Sequence, residues 1–161
     1  MANLLLMKGI KSEDVDVVVS SSYAALSIGQ SLAEELNALF VYTEKTDKKQ
    51  QWTGRFDIPK GAKVLHVEEL ITTMGTTEKV NTTIREALGE DDFEFVTYKG
   101  KTLVVTLLHR PGEECKRYEN FSVLSIIEEL VHVWKPKECP LCKKGSVAMK
   151  PKNNPEVFFS K

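Results

Sequence analysis

Short β-branched apolar runs alternate with segments of helical periodicity over the first 90 residues, and this alternation constrains the fold more than any other feature. Residues 15–20 read as a buried strand that ends at Ser21 and Ser22. Over residues 23–39, Leu26, Gly29, Ala33 and Leu36 recur at helical spacing, with Glu34 and Glu35 on another face. Residues 39–43 and 63–69 read as further strands, the second preceded by a turn at Gly61. Val80, Ile84, Ala87 and Leu88 then give a helix an apolar face, and Gly89 ends it. Such an order implies βαβ units, hence an α/β fold with a mostly parallel sheet.

The later chain is read more coarsely. Residues 44–54 are polar and lysine-rich, which suits a mobile surface loop and a candidate lid. Residues 56–59 extend briefly, and residues 93–98 and 101–108 read as strands joined by a turn at Gly100. Residues 123–134 fit a helix or a strand followed by a helix, because periodicity does not separate the two. A domain over residues 1–135 is expected, followed by a loop and tail over 136–161 that carries Pro136, Pro140, Pro151 and Pro155.

Composition narrows the function classes. The net charge of −1 gives no electrostatic reason to expect nucleic acid or an anionic membrane as a partner. No stretch approaches the roughly 20 apolar residues of a membrane span. Residues 1–7 have an apolar run without a preceding basic segment, so no signal peptide is read. Three cysteines, an odd number, argue against a disulfide framework. A cytoplasmic location is the expectation.

In parallel sheets ligands bind beyond the carboxyl ends of the strands. Three segments lie at such ends, residues 20–24, 44–49 and 68–77. The last belongs to Val64-Leu65-His66-Val67-Glu68-Glu69-Leu70-Ile71-Thr72-Thr73-Met74-Gly75-Thr76-Thr77. An apolar strand there ends in two carboxylates, and a threonine-rich loop leads into a helix. Carboxylates can accept hydrogen bonds from sugar hydroxyls and attract Mg²⁺, while amides and hydroxyls at a helix N-terminus can hold a phosphate. Together these chemistries suit a phosphorylated sugar. The alternative is an ordinary strand-to-helix connection with threonine caps. His66, inside the apolar strand, reads as a satisfied core histidine, and Lys48 and Lys49 read as solvated. Trp52 and Trp134 suit the core or a partner subunit. Cys139 and Cys142 have zinc-knuckle spacing, but zinc usually needs four ligands. Cys115 with His132 or His109 would have to complete such a set, and two free thiols are the alternative.

The 64–77 segment resembles the phosphoribosyl pyrophosphate (PRPP) signature of the type I phosphoribosyltransferases. Asp16-Val17-Val18-Val19-Ser20-Ser21-Ser22-Tyr23-Ala24-Ala25 resembles the family's pyrophosphate loop, and Phe40-Val41-Tyr42-Thr43-Glu44-Lys45 the strand and lysine that follow. Leu107-Leu108-His109-Arg110 resembles a later strand ending in Asp-Arg. Cys139-Pro140-Leu141-Cys142 resembles the tail of some bacterial and archaeal orotate phosphoribosyltransferases, the branch to which the chain looks closest.

The resemblance implies a three-layer fold with helices on both faces of a twisted sheet, and transfer of ribose 5-phosphate from PRPP to a nucleobase. Orotate is the favoured base, Mg²⁺ the cofactor and a homodimer the assembly. Glu68 and Glu69 would hold the ribose hydroxyls, and Lys45 would neutralise the pyrophosphate. Thr72, Thr73, Met74, Gly75, Thr76 and Thr77 would wrap the 5′-phosphate. Ser21, Ser22 and Tyr23 would offer backbone N–H groups to the pyrophosphate, and Arg110 would pair with the base. Mg²⁺ would bridge ligand oxygens, with no residue assigned as a metal ligand.

The chain departs from the pattern at several positions. The acidic pair is Glu-Glu rather than Glu-Asp or Asp-Asp, and Met74 stands where a small residue is usual. Serines and alanines replace the glycines of the pyrophosphate loop, and His109 replaces an aspartate. Only 14 residues precede Val15, against the family's longer N-terminal cover for the base. Two other readings follow: a non-catalytic PRPP- or nucleotide-binding module, and a phosphoribosyltransferase for a purine.

Overall fold

The computed structural model describes residues 1–46, 49–89, 91–111, 119–132, 134–135 and 137–146. Lys48, Cys115, Pro136, Pro151 and Pro155 lie outside the described residues. Two compact units are present, Met1–Val131 and a second beginning at His132.

The first unit holds one sheet. Its parallel strands are β1 (Val17–Ser21), β2 (Leu39–Lys45), β4 (Ala62–Ile71), β5 (Phe93–Phe95), β7 (Lys101–His109) and β8 (Phe121–Glu128). Two short strands run antiparallel, β3 (Gln50–Gln51) on β2 and β6 (Thr97–Tyr98) on β7. The path across the sheet is β3-β2-β1-β4-β7-β6, with β5 on β4 and β8 on β7. Helix α1 (Ala2–Met7) precedes β1, α2 (Leu26–Leu36) joins β1 to β2, and α3 (Gly75–Leu88) joins β4 to β5. In the second unit α4 (Pro140–Lys143) is a single turn opened by a proline.

Side-chain alternation along the strands divides the core into layers. Val18, Leu65, Val67, Leu103 and Val105 pack with Leu5 of α1 and with Leu32, Ala33 and Leu36 of α2. Val17, Val19, Val41 and Val64 face the other way, against Val80 and Ile84 of α3. With helices on both faces, every residue of β1 is buried, which is why it reads as a continuous β-branched run. This is the expected three-layer α/β architecture.

Several boundaries differ from those expected. The helix expected over residues 23–39, α2, starts at Leu26 because residues 22–25 form a turn, and it stops at Asn37, whose left-handed φ of 54° suits asparagine. Residues 44–54, read as a loop, contain an antiparallel hairpin instead. Glu44 pairs with Gln51 and Lys45 with Gln50, and Thr46 N–H donates to the Lys49 carbonyl at 3.0 Å. Lys and Gln have no strong strand preference, so the neighbouring backbone supplies the order. Residues 56–59 are irregular, yet the Phe56 ring packs edge-on against Tyr42 and beside Trp52. Trp52 and Phe56 thereby extend the α3-side core. Val96 splits the expected strand over 93–98. Its N–H donates to Val64 on β4, while its carbonyl accepts from Leu103 on β7. Residues 121–128 are a strand rather than a helix, paired along β7 from Thr102↔Phe121 to His109↔Glu128.

Gly29 lies where α2 packs on β2. A Cβ at this position would run into the ring of Phe40 on β2. Overpacking of this kind costs about 1–3 kcal/mol. Gly29→Val is therefore expected to lower the urea midpoint of unfolding. An unchanged midpoint would mean that Phe40 moves aside freely.

Candidate functional site

Because β1, β2 and β4 are parallel and adjacent, their carboxyl ends share one edge of the sheet. The register sets Ser20 beside Tyr42 and Val67, and Ser21 beside Thr43. The three segments expected at strand ends do converge there. They enclose a cleft of about 250 Å³ whose walls include Ser21, Ser22, Lys45, Glu68, Glu69 and Thr76. Lys49 and Gln50, from the segment read as a candidate lid, also line it, as does Lys79, to which sequence reasoning assigned no part in the site. Lys49 is exposed, in line with its solvated reading.

The turn after β1 is sewn to β2. Ser22 N–H donates to the Thr43 carbonyl at 3.1 Å, and Ser22 Oγ accepts from the Lys45 N–H at 2.9 Å. The Ser22 amide is thus committed within the protein rather than presented to the cleft. The Ser22–Tyr23 peptide is cis, and neither Ala24 nor Ala25 takes a positive φ. The turn forms without the glycines usual in the family. The Tyr23 side chain is 77% exposed.

The two carboxylates of β4 have different settings. Glu69 is exposed, while its backbone carbonyl accepts from Thr106 Oγ1 at 3.0 Å. Glu68 is buried and engaged at both oxygens. Ser21 Oγ donates to Oε2 at 2.6 Å, and Oε1 lies 2.9 Å from Nε2 of His66. The other ring nitrogen of His66, Nδ1, lies 2.8 Å from Oδ1 of Asn81 on α3. His66 is fully buried and satisfied, as expected of a core histidine. Asn81 was missed, although a polar residue between Val80 and Ile84 on an apolar helix face is a readable signal.

Past β4 the chain turns through residues 72–74 into α3. Thr72, Thr73 and Thr76 are exposed and Thr77 is buried. The first helical N–H to find its i−4 carbonyl is that of Glu78, which donates to Met74 at 2.9 Å. Those of Gly75, Thr76 and Thr77 precede it and have no i−4 partner in the helix. Residues 70–77, with Glu68, rim a cup of about 40 Å³. Met74 takes φ 60°, ψ 0°, and its side chain is 2% exposed, packed with Ile71 and Val104. The long side chain therefore points into the core and leaves the cup to the backbone.

Arg110 follows β7, and its N–H donates to the Ile71 carbonyl at 2.8 Å, but it does not line the cleft. His109 is buried, with Nδ1 3.0 Å from a carboxylate oxygen of Glu128 on β8.

This arrangement can be set beside known proteins. No family model matches the chain. It is 32% identical over 140 residues to an orotate phosphoribosyltransferase of Campylobacter hominis, covering 86% of this chain and 69% of that protein. The chain belongs to the orotate phosphoribosyltransferase family. A Nitratiruptor orotate phosphoribosyltransferase is 30% identical, with 86% and 69% covered. Two solved structures share the type I phosphoribosyltransferase fold with this family member. One is the orotate phosphoribosyltransferase of Aeropyrum pernix, with TM-score 0.56, 19% identity, and 79% of this chain and 68% of that chain covered. The other is the adenine phosphoribosyltransferase of Rhodothermus marinus, with TM-score 0.56, 19% identity, and 78% and 75% covered.

The family implies Mg²⁺ as the cofactor. That ion keeps several waters and takes one or two carboxylates plus phosphate oxygens of a substrate. Glu69 offers an exposed carboxylate at the cleft, while both oxygens of Glu68 are already engaged. Among the described residues no three His, Cys, Asp or Glu side chains are grouped to hold an ion alone. These donors fit a hydrated ion carried largely by ligand oxygens. Among the described residues, too, no helix is long and apolar enough to cross a membrane.

In the second unit Cys139 and Cys142 are free thiols, and Trp134 is half exposed beside the His132 ring. A hydrogen bond from the Cys142 backbone N–H holds the Cys139 thiol below its usual range, whereas the hydrogen bond with the Cys139 side chain raises that of Cys142. A lowered value means more thiolate at a given pH, and the thiolate is the nucleophile. Peptide mapping after brief iodoacetamide treatment near pH 8 is expected to find Cys139 alkylated before Cys142, and the reverse order would contradict the assignment.

Met74 yields a second expectation. Left-handed backbone costs a non-glycine residue about 1–2 kcal/mol. Met74→Gly should thus be more stable than Met74→Ala by about 1 kcal/mol, the reverse of the usual helix order. Both should be less stable than the parent, since the buried thioether is lost. Chemical denaturation of the three proteins checks the ranking.

Proposed function

We propose that this chain transfers the ribose 5-phosphate of PRPP to orotate and releases pyrophosphate. The observation that carries the reading is the convergence of Lys45, Glu69, the 22–25 turn and the N-terminus of α3 on one cleft. In the reaction the bond from the anomeric carbon to the pyrophosphate oxygen breaks, and a bond to a nitrogen of the base forms. Positive charge grows on the sugar and negative charge on the leaving group.

Each part of the cleft suits one portion of that change. Residues 72–77 would hold the 5′-phosphate through their amides and through the hydroxyls of Thr72, Thr73, Thr76 and Thr77. Glu69, with Glu68 behind it, would take the ribose hydroxyls and stabilise positive charge on the ring. Lys45 and the 22–25 turn would face the departing pyrophosphate. Mg²⁺ held through Glu69 and ligand oxygens would supply further charge neutralisation. Arg110 follows β7 at the same sheet edge, and its guanidinium suits a carboxylate such as that of orotate. Family membership extends the proposal to a homodimer in the cytoplasm.

One observation favours a second reading, binding of PRPP without turnover. Both Glu68 oxygens are held by His66 and Ser21, which leaves Glu69 as the accessible carboxylate of the pair.

Calorimetric titration with PRPP and Mg²⁺, with ribose 5-phosphate as control, tests the site. An assay with orotate and adenine then tests the chemistry and the base. Mg²⁺-dependent binding that prefers PRPP, followed by turnover of orotate alone, is the expected result. Glu69→Gln should lower kcat/KM for PRPP about 10- to 100-fold, the loss of one charge-assisted hydrogen bond of about 1.5–3 kcal/mol. Binding without turnover of either base would establish the second reading, and turnover of adenine the purine one.

A further inference from the structure

We infer that His66 is a positioning residue for the Glu68 carboxylate, and that it couples the phosphate-side helix α3 to the pyrophosphate-side turn through the buried chain Asn81–His66–Glu68–Ser21. The activity arm of this inference rests on the PRPP reading above.

Four observations carry it. First, the chain is continuous. Its contacts measure 2.8 Å from Asn81 to His66, 2.9 Å from His66 to Glu68 and 2.6 Å from Ser21 to Glu68. All four side chains are buried. Second, the chain joins three elements: Asn81 is on α3, His66 and Glu68 are on β4, and Ser21 ends β1. Asn81 lies one turn past Thr77, at the rim of the cup, and Ser21 immediately precedes the turn at 22–25. Third, Glu68 is held at both oxygens by different partners. A carboxylate with a single partner can rotate about its last bond, whereas two partners on opposite oxygens fix the plane of the group. Glu68 also borders both the cleft and the cup, so that plane sets the direction of its remaining lone pairs.

Fourth, packing alone gives no reason for a histidine at this position. Residue 66 shares the α3 face of β4 with Val64 and pairs with Val19 of β1, on a face whose apolar core includes Val17, Val80 and Ile84. A valine or isoleucine would fill such a layer. An imidazole there incurs a desolvation cost that only its two polar partners offset. The ring, on β4, bonds Asn81 of α3 through one nitrogen and Glu68 of its own strand through the other.

The test separates positioning from support of the fold. His66→Val removes the ring and leaves Asn81 and Glu68 short of a partner, so stability falls. His66→Val/Asn81→Leu replaces the His66–Asn81 pair by apolar groups, which relieves Asn81 and leaves only Glu68 short of a partner, so part of the stability returns. His66→Gln keeps a donor for Glu68. Three readouts are taken on each: the urea midpoint, the PRPP dissociation constant in Mg²⁺ with KM for orotate, and amide hydrogen exchange of residues 22–25 without ligand.

The expected result is that the double variant recovers part of the stability lost in His66→Val but none of the function. Its PRPP affinity should stay about tenfold weaker, one charge-assisted hydrogen bond lost, while KM for orotate is unmoved. Residues 22–25 should exchange faster than in the parent, and His66→Gln should retain most of the PRPP affinity. Affinity and protection that fall and recover together with the urea midpoint across the variants would overturn the inference and leave His66 a core residue. If the parent itself fails to bind PRPP, the functional reading fails. The exchange arm still decides the coupling, because it needs no ligand.

Discussion

The backbone ladders on the two edges of β4 place everything that follows. One edge pairs with β1 over Val64–Val67. The other pairs first with β5 and then with β7. A parallel strand hemmed in this way, with α2 on one face and α3 on the other, cannot shift its register by one residue. Such a slip would turn Leu65 and Val67 out of one core and Val64 out of the other. The register in turn sets where Glu68 and Glu69 emerge from the sheet, and hence where a ligand can sit.

The same face that buries Val17, Val19 and Val64 also carries His66 and Glu68. A buried carboxylate is costly unless it is hydrogen-bonded. In this protein the cost is offset within one short chain of contacts that begins on α3 and ends on β1. The core and the candidate site are therefore not separate layers of the molecule. The polar chain is part of both, and the cleft inherits its geometry from the packing beneath it. Met74 shows the same economy from the other side. Its side chain joins Ile71 and Val104 in the core, while its left-handed backbone turns the chain into α3 and leaves amides to line the cup.

Much of this was legible in the order of residues. The β-branched run over Val17, Val18 and Val19 announced a strand covered on both faces, and Gly89 marked the helix end where α3 stops. The threonine-rich segment after Glu69 marked the helix entry. The pairing of Glu44 and Lys45 with Gln51 and Gln50 was not legible, because these polar residues carry no alternation and are ordered by pairing with each other. Nor was the strand at Phe121–Glu128, whose apolar residues fit either period until β7 supplied a partner. Val96, with one hydrogen bond to each of two strands, likewise has no signature in its own neighbourhood.

By itself the sequence determined the βαβ order and, through it, which strand ends would share an edge. Hydrophobic periodicity is a local property, written within a few residues, and parallel connection follows from it. Only the tertiary structure decided what each side chain at that edge would touch. Ser21 and Glu68 stand 47 positions apart, and His66 and Asn81 stand 15 apart. Their meeting depends on strand register and on how α3 lies across the sheet, and the two carboxylates part company for the same reason. Glu68 falls on the face covered by α3 and is tied down, while Glu69, one residue on, is left exposed at the cleft. Alternation along a strand made them different, and only the packing of α3 determined which would be buried.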